Sequence, residues 1–278
     1  MSNKKGKGKK IFKVFFVIII LAAIVLGALY YFGIFDVTKI FDKYINKDEP
    51  KLQIVDLDSN TRPYAVMYDN VGAAKPQSGL DKAYVVYEII VEGGLTRLMA
   101  VFKDVDVSEI GPVRSARPYF IDYALENDAI YVHHGRSPQA KTELSKYDVN
   151  DLEGLYNPSN MFWRDSNRAA PHNSYTSTDG IKKAAKAKGY KMTSDDWQVL
   201  NFSVKSVYLN ERKGAVKANK VVINFSSGVY TTMVYNSDEK VYYRSENGKP
   251  HMDRKGFQYT TKNIIVENMK NYSIDYKR

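Results

Sequence analysis

The sequence feature that most constrains the fold is an uncharged apolar run near the N-terminus, Val14 to Phe35. It is 22 residues long, and about 20 apolar residues in a helix cross the hydrocarbon core of a bilayer. A buried helix of a globular domain normally has a polar face, and this run has none. The run therefore predicts a transmembrane anchor.

A cleaved signal peptide is the alternative interpretation of this run. Signal peptides have a shorter apolar region and a small-residue cleavage site, and no convincing Ala-x-Ala site occurs here. Residues 1–13 form a tail with six lysines, and such a basic flank stays in the cytoplasm. We therefore expect a single-pass membrane protein with anchor 14–35, a juxtamembrane stalk and linker at 36–60, and an extracytoplasmic main domain.

The chain contains no cysteine. This excludes disulfides, thiolate metal ligands and a lipidated N-terminal cysteine. The six tail lysines account for six of the ten net positive charges, and no acid precedes Asp36, so the rest of the chain carries only about +4. Global charge therefore gives little support to nucleic-acid binding, and we expect none.

The part after the linker divides into two regions of different pattern. Residues 61–203 alternate buried-type strands with helical segments, which predicts a mixed α/β main domain. Residues 204–278 change to short alternating strands separated by turn residues, which is typical of a smaller antiparallel β-rich part. The strands predicted in this second part are 206–209, 220–225, 229–235, 240–244 and 263–267.

The run from Ala83 to Val91 predicts a central strand that two acids interrupt. Glu88 and Glu92 lie on the same face at strand spacing, because side chains alternate with a period of two. A Gly-Gly turn follows, and the returning strand carries Arg97. Two interpretations stay open: a cross-strand ion pair on a solvated face, or a carboxylate that arginine holds inside a cleft.

The block from Gly111 to Pro118 places Arg114 and Arg117 three residues apart, just before a helix predicted at 119–126. At a helix start these arginines share a face near backbone N–H groups, an arrangement that holds phosphate or carboxylate. Ser115 is predicted to be an N-cap or an anion contact. The alternative is a salt-bridged surface helix.

Polar residues directly follow the strand predicted at 129–132, where α/β proteins often place ligand sites. His133 and His134 point in opposite directions on a strand, so only one faces a given pocket. We select His133 and Arg136 as candidate ligand contacts. A long polar loop at 162–177 is often functional in a compact domain. This loop adds the candidates Arg164, Asp165, His172 and Asn173.

A metal site built from one of the paired histidines, His172 and an acid is a further alternative. The chain has only four histidines, and His251 follows an Asn-Gly turn, which we interpret as turn chemistry. We therefore predict neither a metal nor a cofactor.

Several long blocks carry a family resemblance. They are Arg62-Pro-Tyr-Ala-Val-Met, Lys75-Pro-Gln-Ser-Gly-Leu, Tyr87 to Arg97, Ile110 to Tyr119, Phe162-Trp-Arg-Asp and Pro171-His-Asn. In this order they resemble the YerB-like bacterial family, a family with a domain of unknown function, over about residues 62–270. The resemblance implies a Gram-positive envelope protein, often a lipoprotein, with an N-terminal α/β domain and a β-rich C-terminal part.

The chain departs from this family in two respects. It has a predicted membrane anchor and no cysteine for lipidation. It also ends before the glycine-rich, tryptophan-bearing closing segment that the family resemblance implies. We therefore expect an incomplete C-terminal domain.

Two classes of function remain open. The first, which we favour, is an envelope binding module whose arginine-lined cleft holds an anionic wall polymer, a peptide or a partner protein. The second is an envelope hydrolase or transferase with Glu88 or Glu92 and one of His133, His134 or His172 as acid and base. No complete catalytic signature occurs, so catalysis itself stays open. The predicted ligand contacts are Glu92, Arg97, Arg114, Ser115, Arg117, His133, Arg136, Arg164, Asp165, His172 and Asn173.

Overall fold

A five-stranded mixed sheet organises the N-terminal part of this computed structural model, which describes Phe16, residues 55–204 and residues 207–272. Its strands are β1 (Tyr64–Asp69), β2 (Val85–Ile90), β3 (Thr96–Phe102), β4 (Ile130–His133) and β5 (Asp151–Glu153), in the order β2-β3-β1-β4-β5. β3 is antiparallel to β1 and β2, and β4 is parallel to β1 and β5. All strands except β3 therefore point their carboxyl ends at the same edge.

Three helices cover the two faces of this sheet. They are α1 (Pro118–Glu126), α2 (Pro138–Lys146) and α3 (Thr178–Ala187). Proline is favoured at the first position of a helix, where its missing N–H has no intrahelical partner, and α1 and α2 both begin with it. Phe120 of α1 packs in one core cluster with Met67 and Met99, and Ile181 of α3 packs with Tyr68 on the other face. Because both faces are covered, every residue of β1 and β3 is buried.

The C-terminal part is an antiparallel sheet. It contains β8 (Lys220–Ser226), β9 (Val229–Asn236), β10 (Val241–Glu246) and β11 (Lys249–Pro250), in the order β11-β10-β9-β8, and β12 (Thr260–Thr261) also pairs with β10. Between the two sheets in sequence, β6 (Trp163–Arg164) and β7 (Ser174–Tyr175) form a two-stranded ribbon. The predicted mixed α/β part and the antiparallel β-rich C-terminal part are both confirmed.

Two details of the strand prediction are wrong. β2 is an edge strand and not a central one, because β3 is its only neighbour in the sheet order. Residues 207–208 and 263–267 form no strand, and a short 3₁₀ helix begins at Leu209. Val207 and Ile265 are 58% and 67% exposed, so their apolar character reflects no buried strand face.

The predicted tail and anchor, residues 1–35, lie outside the described residues apart from Phe16, and so does most of the predicted stalk, residues 36–60. No helix within the described part of the chain has the length and apolar character needed to cross a bilayer. The anchor therefore stays a prediction.

Replacing Phe120 by alanine is expected to lower the free energy of unfolding by about 3–5 kcal/mol, because Phe120 is fully buried beneath α1. Urea unfolding followed by circular dichroism measures the change. Leu155→Ala is the matched control, since Leu155 is 67% exposed and its loss should cost less than about 0.5 kcal/mol. Equal losses in the two variants would contradict this description of the core.

Candidate functional site

Charged side chains gather at the sheet edge where the carboxyl ends of β1, β2 and β4 meet. β1 ends in Asp69, and Arg97 of β3 lies directly opposite it in the antiparallel register. Glu92 follows β2 in a turn where Gly93 and Gly94 have φ of 70° and 73°, values that glycine adopts without strain. The topology therefore brings residues from distant sequence blocks to the edge where α/β sheets place ligands.

The carboxylate of Asp69 joins two loops to this edge. Asp69 is only 2% exposed. Its Oδ2 forms an ion pair with Arg114 Nε at 3.2 Å and lies 2.7 Å from His172 Nδ1. Because both donors meet the same oxygen, Arg114 and His172 lie side by side.

Arg97 is a buried cation among other cations. It is 8% exposed, and its guanidinium donates to the carbonyl of Ser115 at 2.6 Å. The pKa of Arg97 is lowered to about 10, first by burial and then by the charges of Arg117 and Arg114, while Glu92 and Asp69 act in the opposite direction. We call Arg97, Arg114, Arg117, Glu92 and Asp69 the arginine cluster. It holds three guanidinium groups against two carboxylates.

Glu92 pairs with Arg117 at the rim of this cluster. Burial acts to raise the pKa of Glu92, but the hydrogen bond and charge of Arg117 outweigh it, so the pKa is lowered overall. The Glu92 side chain is 64% exposed, and ion pairs at such positions contribute about 1 kcal/mol or less. Glu92 therefore holds Arg117 only weakly.

His134 lies beside Arg164 and Asn173 of the polar loop. Arg164 only donates, so His134 Nε2 accepts from it at 2.9 Å, and Nδ1–H then donates to Ser174 Oγ at 2.7 Å. Burial lowers the pKa of His134, and the charges of Arg164 and Arg114 add to the effect. Arg164 also donates to Asn173 Oδ1 at 2.8 Å. This group borders the arginine cluster through Arg114.

The structure places His133 and Arg136 differently from these residues. His133 is fully buried, with Nε2 3.1 Å from Asp151 Oδ2 and Nδ1 2.9 Å from the carbonyl of Gly135. Arg136 pairs with Glu153 at 3.3 Å, at the end of β5. His134, and not His133, is the histidine that reaches the polar loop, because neighbouring strand residues point in opposite directions.

Of the two acids on the first arm of the predicted hairpin, Glu88 does not face Arg97. The register puts Glu88 opposite Leu98 and Arg97 opposite Ile89, so alternation places Glu88 and Arg97 on opposite faces of the sheet. Glu88 and Glu92 also share no strand face, because β2 ends at Ile90 and Glu92 begins a 3₁₀ turn.

Ser115 is not the N-cap of α1, which was one of the two roles predicted for it. Arg117 occupies the N-cap position of α1 without a side-chain cap, and Pro118 starts the helix. Ser115 lies two residues earlier, where its backbone carbonyl accepts the hydrogen bond from Arg97. Its contribution to the edge therefore comes from the backbone.

On the other face, Glu88 contacts the C-terminal sheet. Its Oε2 accepts from Arg244 at 2.9 Å and from Thr231 Oγ1 at 3.0 Å, and its Oε1 accepts from Thr96 Oγ1 at 2.9 Å. Arg244 also pairs with Glu246 at 3.3 Å, and Lys75 pairs with the same acid. We call Asn70, Lys75, Gln77, Glu88, Arg244, Glu246 and His251 the polar junction.

A directed chain of hydrogen bonds runs through this junction. Arg244 donates to His251 Nδ1, so the His251 proton sits on Nε2 and is donated to Gln77 Oε1. Gln77 donates to Asn70 Oδ1 at 3.2 Å, and Asn70 donates to Glu246 Oε1 at 3.1 Å. Burial, followed by the charge of Arg244, lowers the pKa of His251 well below its usual value. His251 is therefore a neutral link in the junction and not simply a turn residue.

Asp165 lies at a cavity of about 480 Å³ next to the arginine cluster. Arg254 approaches Asp165 Oδ2 at 2.8 Å. Lys75, Arg168 and His172 also line this cavity. His172 therefore borders both the cavity and the cluster.

Metal ligation finds no support at this edge. Within residues 55–204 and 207–272, no group of three or more histidine, aspartate or glutamate residues is arranged to hold a metal ion. Asp69, Asn70 and Arg244 are among the residues that the sequence did not single out. An Asp-Asn pair at the end of a buried strand was the signal for Asp69 and Asn70. Nothing in the sequence indicates that Glu88 of β2 contacts Arg244 of β10.

Comparison with known proteins places the chain in a family. Residues 52–191 match "Protein of unknown function (DUF3048) N-terminal domain", and residues 221–278 match the DUF3048 C-terminal domain. The Bacillus subtilis (strain 168) protein named "Putative lipoprotein YerB" is 38% identical over 218 residues, which cover 77% of this chain and 64% of the relative. The chain thus spans just under two thirds of that relative's length.

A solved structure agrees with this match. The crystal structure of the YerB protein from Bacillus subtilis has a TM-score of 0.62 with this chain at 37% identity. The similarity covers 71% of this chain and 65% of that one. Sequence and structure comparisons therefore point to the same relative.

Arg244→Met is expected to lower the free energy of unfolding by about 3–5 kcal/mol, because it leaves Glu88 and Glu246 buried without their shared cation. Chemical denaturation measures the loss. The matched control is Arg212→Met, since Arg212 is exposed and should change stability by less than about 0.5 kcal/mol. A loss below 1 kcal/mol for Arg244→Met, by the same scale, would show that the junction is not buried in solution.

Acid is expected to weaken the folded state through His251. The pKa of His251 is depressed in the fold, whereas an unfolded histidine titrates near 6.5. Below about pH 6.5 the unfolded chain therefore binds a proton at this residue and the folded chain does not. The free energy of unfolding should then fall by up to about 1.4 kcal/mol per pH unit. Urea unfolding at pH 7.5 and 5.5 should show that the free energy of unfolding depends less on pH in His251→Gln than in the unaltered chain. An identical dependence in both proteins would contradict the neutral His251.

Proposed function

The chain belongs to the DUF3048 family of proteins of unknown function, and we propose that it binds a phosphate-bearing polymer of the cell envelope through the arginine cluster. The family assignment confirms the resemblance to YerB-like proteins that the sequence blocks indicate. The name of the relative, a lipoprotein, supports an extracytoplasmic, membrane-associated location. We propose that residues 14–35 anchor this chain in place of a lipid, with the N-terminus in the cytoplasm.

The observation that carries the proposal is the excess of guanidinium groups around buried Arg97. The charges of Arg117 and Arg114 act together with burial to lower the pKa of Arg97, so these cations repel one another. One of the two balancing carboxylates, Glu92, is mostly exposed, and the other, Asp69, is shared with His172. A bound anion would relieve this repulsion.

Arginine suits a phosphate ligand for geometric reasons. Its planar guanidinium donates two parallel hydrogen bonds to phosphate or carboxylate oxygens, and these bonds are stronger than those between neutral groups. A wall polymer with repeating phosphodiesters offers such anions along one extended chain. The adjacent cavity adds Arg168 and Arg254 beside one lining acid, Asp165, and so extends the positive surface. Lys75 also lines the cavity, but its charge is paired with Glu246.

The acid–base roles considered for Glu88 and Glu92 gain no support from their surroundings. Both oxygens of Glu88 accept hydrogen bonds within the junction, from Thr96 on one side and from Arg244 and Thr231 on the other. Glu92 has a lowered pKa, which disfavours the protonated form that a general acid requires. Neither acid therefore favours catalysis over binding.

Arg117→Gln is expected to weaken binding of poly(glycerol phosphate) about 10-fold to 100-fold, because one charge-assisted contact is lost. Isothermal titration calorimetry of the full chain in detergent micelles measures the affinity. Arg212→Gln removes an exposed arginine outside the cluster and should leave the affinity unchanged.

The absence of saturable binding by the unaltered chain would reject the proposal. An equal loss in Arg212→Gln would show that binding follows overall charge and not the cluster. Tighter binding of polyglutamate than of the phosphate polymer would assign the cluster to a carboxylate ligand, such as an acidic segment of a partner protein.

A further inference from the structure

His172 stands at the boundary between the arginine cluster and the cavity. Its Nδ1 lies 2.7 Å from Asp69 Oδ2, and its ring lines the cavity of about 480 Å³. The Asp69 side chain is 3% exposed, whereas that of His172 is 24% exposed. A buried carboxylate thus orients a partly exposed imidazole.

This contact fixes the tautomer of the neutral ring. An ionised carboxylate only accepts hydrogen bonds, so the His172 proton sits on Nδ1 and Nε2 keeps its lone pair. In the part of the chain that the structure describes, no group hydrogen bonds to His172 Nε2. Nε2 is therefore an oriented base whose partner must come from the cavity.

The other three histidines differ in this respect. His134 uses both ring nitrogens for Arg164 and Ser174. His251 uses both for Arg244 and Gln77, and His133 has an acceptor at each nitrogen. His172 is thus the histidine with a nitrogen left to act on a ligand.

Fixed cations flank His172 on both sides. On one side Arg114 shares the oxygen of Asp69 with it. On the cavity side, Arg168 donates to the carbonyls of Lys75 and Pro76 at 3.2 and 2.7 Å, which holds its guanidinium in place. Charges that are positioned before the reaction stabilise a developing negative charge without reorganisation.

We propose that the chain hydrolyses a phosphodiester bond of the polymer it binds, with His172 as the general base and Asp69 as the residue that positions it. His172 Nε2 takes a proton from a water molecule while the water oxygen attacks phosphorus. The bond from phosphorus to the ester oxygen opposite the attacking water breaks, the departing alkoxide takes a proton from solvent, and the imidazolium returns its own proton to solvent. The products are an alcohol and a phosphomonoester, so one water is consumed per bond.

The roles of the neighbouring groups follow from this step. Asp69 stabilises the transient imidazolium, as a carboxylate does beside a catalytic histidine. Arg114 and Arg168 face the negative charge that collects on the non-bridging oxygens. The inference rests on the proposed function, because the arginine cluster must hold one phosphate while its neighbour along the polymer meets His172.

The test measures binding and turnover separately in the full chain. Bis(4-nitrophenyl) phosphate reports general phosphodiester cleavage, and poly(glycerol phosphate) and phosphatidylglycerol vesicles report the two envelope sources of this chemistry. His172→Asn should lower kcat about 100-fold or more while its affinity for poly(glycerol phosphate) stays within about threefold of the unaltered chain. Arg117→Gln should instead raise KM, because it removes binding.

Two further variants complete the test. Asp69→Asn should lower kcat at least about 10-fold, because the positioning carboxylate is lost. Lys183→Gln, at an exposed position of α3, serves as the preparation control and should retain full activity.

The outcomes separate the two proposals. Saturable binding without turnover of any of the three probes would overturn the hydrolysis and leave the binding proposal standing. Neither binding nor turnover would reject both. Turnover that survives His172→Asn, and equally His172→Gln, would overturn the role of His172. Cleavage of the vesicles but not of the polymer would support the chemistry and identify a lipid headgroup as the source.

Discussion

The buried carboxylate of Asp69 is the constraint on which the arrangement of the sheet edge depends. A buried charge without partners costs several kcal/mol, so Asp69 needs the donors that approach it. Those donors come from two separate segments: Arg114 precedes α1, and His172 belongs to the loop after the β6 strand. Satisfying one side chain therefore ties both segments to the end of β1. The same contacts bring the excess of guanidinium groups and the free imidazole nitrogen to a common place.

The alternation of side chains on β3 separates two charged regions with opposite character. Arg97 points to the face where guanidinium groups outnumber carboxylates, and Thr96, its neighbour, points to the face where it donates to Glu88. On that second face the charges balance, because Arg244 and Lys75 meet Glu88 and Glu246. Balanced and hydrogen-bonded charges suit a fixed contact, whereas an unbalanced cluster at a rim suits an exchangeable anion. β3 thus contributes Thr96 to the charge-balanced junction on one face and Arg97 to the arginine cluster on the other.

Local sequence patterns predicted the individual strands and helices better than they predicted which elements lie next to each other. The apolar run at 129–132 located β4, and the helix predicted at 119–126 agrees with α1 to within one residue, because these signals act within a few residues. The sequence also singled out Arg97, Arg114 and Arg117, which the structure brings together. It did not assign Glu88 to Arg244, since that contact joins residues 156 positions apart through two sheets. The choice of His133 over His134 failed for a related reason: alternation shows that the two differ, but only the strand's neighbours decide which one meets the polar loop.

The C-terminal sheet belongs to the candidate site although it contributes little to its surface. Asp69 and Asn70 are consecutive, and they serve opposite faces: Asp69 holds Arg114 and His172, and Asn70 donates to Thr96 at 2.8 Å and to Glu246 at 3.1 Å. Glu246 lies on β10, so the junction restrains the backbone that carries Asp69. A base or an anion-binding group works only when its support holds it within a fraction of an ångström. The distant β10 strand is therefore part of what keeps His172 aimed at the cavity.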